Sequence, residues 1–168
     1  MRKLTFVMAL SLSLIAAGSA RSVLVGLTSP SPQGNNAYKT YSNARFNYSI
    51  SYPANLLIPQ GESENGDGQV FRAKDGSAEM RVYGRYNVNH ETLRSSFSEA
   101  SREWADGVTY KVIRPDWFVV TALVNRKVHY QKTMLRRGVF KTFLIEYDES
   151  RQATFDPVTA RVARSFVG

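Results

Sequence analysis

Two stretches of this chain gather side chains able to bind or react. The first is Gly61-Glu62-Ser63-Glu64-Asn65-Gly66-Asp67-Gly68. Glu62, Glu64, Asn65 and Asp67 supply oxygen donors within six residues, and the glycines let the backbone curve around a point. Oxygen ligands on a curved loop suit a hard cation, so calcium is the one metal this loop would take. It is not an EF-hand, because the distal bidentate glutamate is missing, and the repeated nonapeptide of calcium β-rolls is absent too. A solvated turn whose Asn and Asp bond their own backbone accounts for the same residues and is the preferred reading.

The second stretch is basic. From Lys111 to Lys141 there are eight Lys or Arg and a single acid, Asp116. Lys127, His129, Lys132, Arg136 and Arg137 form the candidate set for an anionic ligand or an acidic partner. On one strand Lys127, His129, Gln131 and Thr133 alternate with Val128, Tyr130 and Met134, giving a polar face and a core face. An exposed edge strand guarded by lysine explains the pattern equally simply.

Catalysis has little to work with. The chain has two histidines, His90 and His129, and no cysteine, so thiolate chemistry and thiolate metal sites are excluded. No Gly-x-Ser-x-Gly elbow, Walker loop or dinucleotide fingerprint occurs. His129 as a general base in a small envelope hydrolase is the surviving enzymatic alternative, needing a Ser or a carboxylate brought near by folding. The expectation is a protein that is not an enzyme.

The elements that would position these residues follow from periodicity. Phe46–Tyr52 alternates with period two and places Phe46, Tyr48, Ile50 and Tyr52 on one buried face. Leu56-Leu57-Ile58 reads as an apolar plug closed by Pro59. Gln69–Ala73 and Ser77–Gly84 flank Lys74-Asp75-Gly76, a strong hairpin signal, with Arg72, Glu79 and Arg81 on its outer face. Leu93, Phe97, Ala100 and Trp104 recur at helical spacing behind a cap at Asn87–Asn89, and Asp106-Gly107 ends the helix. Val108–Arg114, Trp117–Val124, Lys127–Arg136 and Val139–Tyr147 follow with connections too short for anything but antiparallel neighbours. Asp156 as cap and Pro157 at the first helical position open a final helix carrying Val158, Val162 and Phe166. Hairpin, helix, meander and helix make an α+β class: a twisted antiparallel β-sheet flanked by helices.

Several of these residues resemble a known family. Phe46-Asn47-Tyr48-Ser49-Ile50-Ser51-Tyr52-Pro53 is similar to the opening strand of the PsbP-like superfamily, and Phe155-Asp156-Pro157 through Ser165-Phe166 to its final helix. That superfamily takes in the extrinsic photosystem protein PsbP and the Ran-binding Mog proteins. Glu64-Asn65-Gly66-Asp67-Gly68, Phe71, Asp75-Gly76 and Val82-Tyr83-Gly84 look most like a group of uncharacterised exported proteobacterial proteins. The resemblance spans roughly Tyr41 to Phe166. It implies an α/β/α sandwich and a binding or accessory role, while nothing in the sequence supports photosystem binding or Ran recognition.

The start of the chain reads as export. Residues 1–20 have a basic start at Arg2 and Lys3, an apolar stretch and a small-residue end at Gly18-Ser19-Ala20, as a signal peptide does. A retained anchor is the alternative, because residues 22–27 are also apolar, but Arg21 interrupts the run. Residues 21–37 are rich in Ser, Pro, Gly and Asn and read as a flexible linker, leaving 38–168 as a single domain. The whole chain of 168 residues carries a formal charge of +8. Taken together, the sequence points to a periplasmic or secreted monomer, without a stable membrane span after cleavage. It would act as a non-catalytic binding or accessory module toward an envelope protein or an anionic ligand, with no nucleic-acid motif. A purely structural interaction protein would instead show a broad aromatic patch, for which Tyr83, Tyr86 and Tyr110 are the candidates.

Overall fold

A computed structural model describes residues 37–168. The expected signal segment 1–20, and all but the last residue of the expected linker 21–37, lie outside the described residues. Nine strands and two helices follow in order: β1 (Tyr38–Asn43), β2 (Tyr48–Pro53), β3 (Ile58–Glu62), β4 (Gly68–Arg72), β5 (Ala78–Tyr86), α1 (Leu93–Glu103), β6 (Val108–Ile113), β7 (Trp117–Val124), β8 (Lys127–Arg136), β9 (Val139–Asp148) and α2 (Gln152–Ser165). Strands β3 to β9 form one sheet in the order β3-β4-β5-β9-β8-β7-β6, and every neighbouring pair is antiparallel. β1 and β2 form a separate two-stranded ribbon.

The two halves of the large sheet arise locally. β3, β4 and β5 are joined by short turns, and so are β6 to β9, two of them through tight two-residue loops. Asn125-Arg126 and Arg137-Gly138 both take positive φ, as the mirror-image turns that suit strand twist require. α1 carries the chain from β5 to the far edge, so that the meander returns with β9 beside β5. Nine residue pairs, from Ala78↔Tyr147 to Tyr86↔Val139, join the halves there.

Period two sorts the side chains to two faces. Met80, Val82, Phe143, Ile145 and Tyr147 face α2 and the β1–β2 ribbon, where Phe155, Val158, Val162, Ile50 and Tyr48 meet them. Phe118, Val120 and Phe140 face α1 and meet Leu93 and Ala100. Full burial of each such side chain contributes about 1.5–3 kcal/mol before the entropy of ordering it. The result is the α/β/α arrangement expected, with α1 against β6 and β7 and α2 against β2, β8 and β9.

Boundaries moved where local chemistry was richer than the pattern. The helix cap is Thr92, whose hydroxyl accepts from Ser95 N–H in a capping box, while Asn87 instead holds the Glu91 backbone. α2 begins at Gln152, after a 3-10 turn at Glu149–Arg151, so Asp156 and Pro157 lie inside it. Asp156 is not the cap; its carboxylate accepts the Tyr147 hydroxyl at 2.6 Å. Ile58 and Pro59 open strand β3 rather than closing a plug, which a proline permits on an edge strand. Strand β8 is interior, paired with β7 and β9, so its lysines do not guard an edge.

Gly68 shows why one glycine of the acidic motif is needed. A Cβ there would overlap the Val82 carbonyl oxygen and sit 2.7 Å from Tyr83 Cα, because β4 runs close against β5 at this point. Gly68→Ala is therefore expected to cost about 1–3 kcal/mol of stability through forced backbone displacement, read as a lower urea midpoint. Gly66→Ala meets no atom and strains only its positive φ, so its cost should be smaller.

Candidate functional site: a basic pocket at the β8–β9 turn

The acidic loop is bonded to itself. Ser63 Oγ donates to Asp67 Oδ1 at 2.5 Å and Asn65 Nδ2 to Asp67 Oδ2 at 2.9 Å. Asp67 N–H in turn donates to both Ser63 Oγ and Asn65 Oδ1. Glu62 accepts Tyr41 OH at 2.7 Å and Asn43 Nδ2 at 2.9 Å, and the Arg45 guanidinium donates to the Asn65 carbonyl. Glu64 is exposed. Among the described residues no group of three His, Asp or Glu side chains stands close enough to hold a metal ion. Internal hydrogen bonds account for this loop without a cation.

The basic set is split between two faces and a turn. His129 lies on the α1 face, stacked on Trp104 with ring centroids 5.5 Å apart and Nδ1 3.5 Å from Glu146. Lys127 is on the same face, two residues away at the start of β8. Lys132 points the other way and donates to the Ala163 carbonyl at 2.7 Å, closing the C-terminal turn of α2. Burial, and then Arg136, hold its pKa below the ordinary lysine value. Lys127 and His129 therefore lie across the sheet from Arg136, and Lys132, although on the Arg136 side, does not line the pocket that Arg136 and Arg137 share.

Arg136 and Arg137 have other company. With Arg45 and Lys141 they line a pocket of about 370 Å³, completed by Phe46, Asn47, Val139 and Gly168. No acid lines it. Arg136 is anchored from behind by Asp116, through Nε at 2.8 Å and Nη2 at 2.6 Å, and donates from Nη1 to the Gly168 carbonyl. Arg137 is fixed by the tight turn and Arg45 by the Asn65 carbonyl and the Phe46 ring.

Lys141 is the unusual member. It is 5% exposed, yet its hydrogen bond goes to the Asn47 carbonyl at 2.9 Å, and among the described residues no Asp or Glu side chain pairs with it. Buried lysines are normally paired, since an ammonium taken from water is costly. Burial first, and then repulsion from Arg136 and Arg137, push its pKa below the ordinary value. A signal for it existed in the sequence: Lys141 stands in register with Phe143, Ile145 and Tyr147, so alternation places it on the core face of β9. Arg45 carried no comparable mark, because only the turn of β1 onto β2 brings it here.

Comparison with solved structures places the fold. The chain is similar to cyanobacterial PsbP (CyanoP) from Synechocystis sp. PCC 6803, with a TM-score of 0.58 at 18% identity, covering 84% of this chain and 98% of that one. A protein from Bacteroides thetaiotaomicron matches with a TM-score of 0.48 at 10% identity, over 77% of this chain and 48% of its own length. No family model matches the chain, and no curated protein matches its sequence. The fold is PsbP-like, as the strand and helix motifs implied.

Removing the buried charge should stabilise the protein. Lys141→Met keeps the stem and discards the ammonium, so the melting temperature is expected to rise by about 2–4 °C for each kcal/mol relieved. Because the folded pKa of Lys141 lies below its unfolded value, protonation opposes folding. The penalty is fully present at neutral pH and fades as pH rises through the folded pKa toward about 10.4. The gap between variant and parent in scanning calorimetry should therefore narrow on going to alkaline pH.

Proposed function

We propose that this chain is a non-catalytic binding module of the cell envelope that holds an anionic group, a phosphate or a carboxylate, in the pocket of Arg45, Arg136, Arg137 and Lys141. The observation that carries the reading is Lys141: a buried lysine that hydrogen-bonds a backbone carbonyl and has no Asp or Glu side chain paired with it among the described residues. An anion entering the pocket would supply the missing counter-charge, and charge-assisted hydrogen bonds are the strong class. The chain's surplus of positive charge favours the approach of such a ligand. Export by the segment 1–20 would place the domain in the periplasm or outside the cell. A PsbP-like fold agrees with an accessory role, and the motif Glu64–Gly68 with a likeness to exported proteobacterial proteins.

The hydrolase alternative rests on His129, and its surroundings favour binding over catalysis. The cavity beside it is lined by Glu79, Arg81, Glu103, Trp104, Leu144 and Glu146, so carboxylates stand near the ring, but no Ser, Thr or Cys nucleophile is among these described residues. The ring is stacked on Trp104 and turned toward a carboxylate, an arrangement that serves packing. Calcium binding through the loop 62–68 has less support than the anion reading, because Tyr41 and Asn43 of β1 occupy Glu62 and the loop's own Ser63 and Asn65 occupy Asp67. Among the described residues no helix is long and apolar enough to cross a membrane.

Thermal melts with pyrophosphate or citrate, against chloride at matched ionic strength, test the proposal. A ligand at about 100 times its Kd adds about 2.7 kcal/mol, so the parent should melt several degrees higher in millimolar pyrophosphate or citrate. Lys141→Met and Arg137→Glu should lose that increment while remaining folded. An equal increment in both variants, or none in the parent at millimolar concentration, overturns the reading.

A further inference from the structure

A second cleft lies on the opposite face of the sheet, between α1 and β5, with a volume of about 420 Å³. α1 covers β6 and β7 and stops short of β5, so its trailing side forms a wall. Glu99 and Glu103 stand on that wall, one turn apart. Arg81 and Arg85 stand on the facing wall, four positions apart on β5 and so on the same side of the strand. Among the described residues no Arg–Glu pair within 4.0 Å spans the gap. Arg81 is steadied by Glu79 on its own strand, and Arg85 by a two-pronged pair with Glu91, just ahead of α1, in which each terminal nitrogen gives one bond of 2.8 Å. Arg81 uses its Nε for that contact, leaving both terminal nitrogens open. Glu99 and Glu103 form no ion pair among the described residues.

The floor is polar where a sheet interior is normally apolar. Gln131 is 9% exposed, Thr133 1% and Thr142 4%, all on interior strands β8 and β9. Gln131 Nε2 donates to Thr133 Oγ1 at 3.0 Å, and Thr133 and Thr142 share a bond of 2.9 Å. That chain satisfies the hydroxyls but leaves the Gln131 carbonyl, and one of its N–H groups, without a protein partner. This spare donor and acceptor capacity lines the cleft, where a ligand can meet it. Tyr83 sits between the walls and feels both, with burial raising its pKa, Arg85 lowering it and Glu103 raising it.

We propose that this cleft binds a small zwitterion of free amino-acid or dipeptide size, its carboxylate on Arg81 and Arg85, its ammonium on Glu99 and Glu103, and its amide or polar centre on Gln131. Opposite charges on facing walls, separated by a gap they do not close themselves, are complementary to a ligand carrying both charges at its ends. The volume falls within the range of roughly 300–1,000 Å³ typical of small-ligand sites. The site shares no residue with the basic pocket and does not depend on the function proposed for it.

Titration with glycyl-leucine, its N-acetyl derivative and its C-terminal amide tests this, read by calorimetry and by fluorescence of the neighbouring Trp104. The free dipeptide should bind, and each blocked form should bind at least about tenfold more weakly. In Glu103→Gln the penalty for acetylation should disappear while that for amidation persists, and in Arg81→Gln the reverse. Glu103 is exposed on α1, so its variant keeps the acetylation arm readable even if Arg81→Gln, which loses Glu79, fails to fold. Lys141→Met should bind the dipeptide as the parent does. Equal binding of all three forms, or no binding of the free dipeptide at millimolar concentration, overturns the proposal.

Discussion

The pairing of β5 with β9 is the constraint on which the rest of the structure depends. Each half of the large sheet is built from neighbours in sequence, and the larger core, against α2 and the β1–β2 ribbon, draws on both. The nine-pair seam sets the register between them. A slip of one residue would exchange faces, sending Phe143 and Ile145 toward α1 and Thr142 and Leu144 toward α2. The seam also determines which side chains meet. Lys141 comes under the turn between β1 and β2, and Arg81 and Arg85 come opposite α1, only in this register.

Each face of the sheet carries one departure from an apolar interior. On the α2 side it is a lysine without a carboxylate; on the α1 side it is an amide and two threonines. Both departures adjoin a pocket. Other polar groups are satisfied within the fold. Tyr147, although buried, has Asp156 for its hydroxyl, and Asn43 gives its amide to Glu62 and the Gly66 carbonyl. The contrast separates polar residues that finish the fold from those held open by it.

Much of the scaffold was legible in the sequence. Trp117–Val124 and Lys127–Arg136 are observed at the limits that alternation and short turns implied. Helix starts were less so, because Thr92 and Ser95 cap one another without any acid to advertise them, and because Pro157 is tolerated inside α2 at the cost of one backbone bond. The pockets were hardest to read. Arg136 and Arg137 were visible as a charge cluster, but their partners Arg45 and Lys141 arrive through the seam and through the β1–β2 ribbon. The basic residues of β8 looked like one surface until alternation was combined with the knowledge that both faces are covered. Lysine at 127 and lysine at 132 then fall on opposite sides of the sheet.

The two strands at the rims of the sheet have a feature in common. β3 contains Pro59, and its pairing with β4 shifts register before Glu62; β6 shifts register against β7 between Val108 and Tyr110. Such irregular rims present a broken row of backbone groups, and charges and proline on them discourage a further strand from adding. Growth of the sheet from copy to copy is thereby disfavoured at both ends. A molecule so protected can persist at high concentration in a crowded compartment. Its associations are then confined to what its two faces recognise.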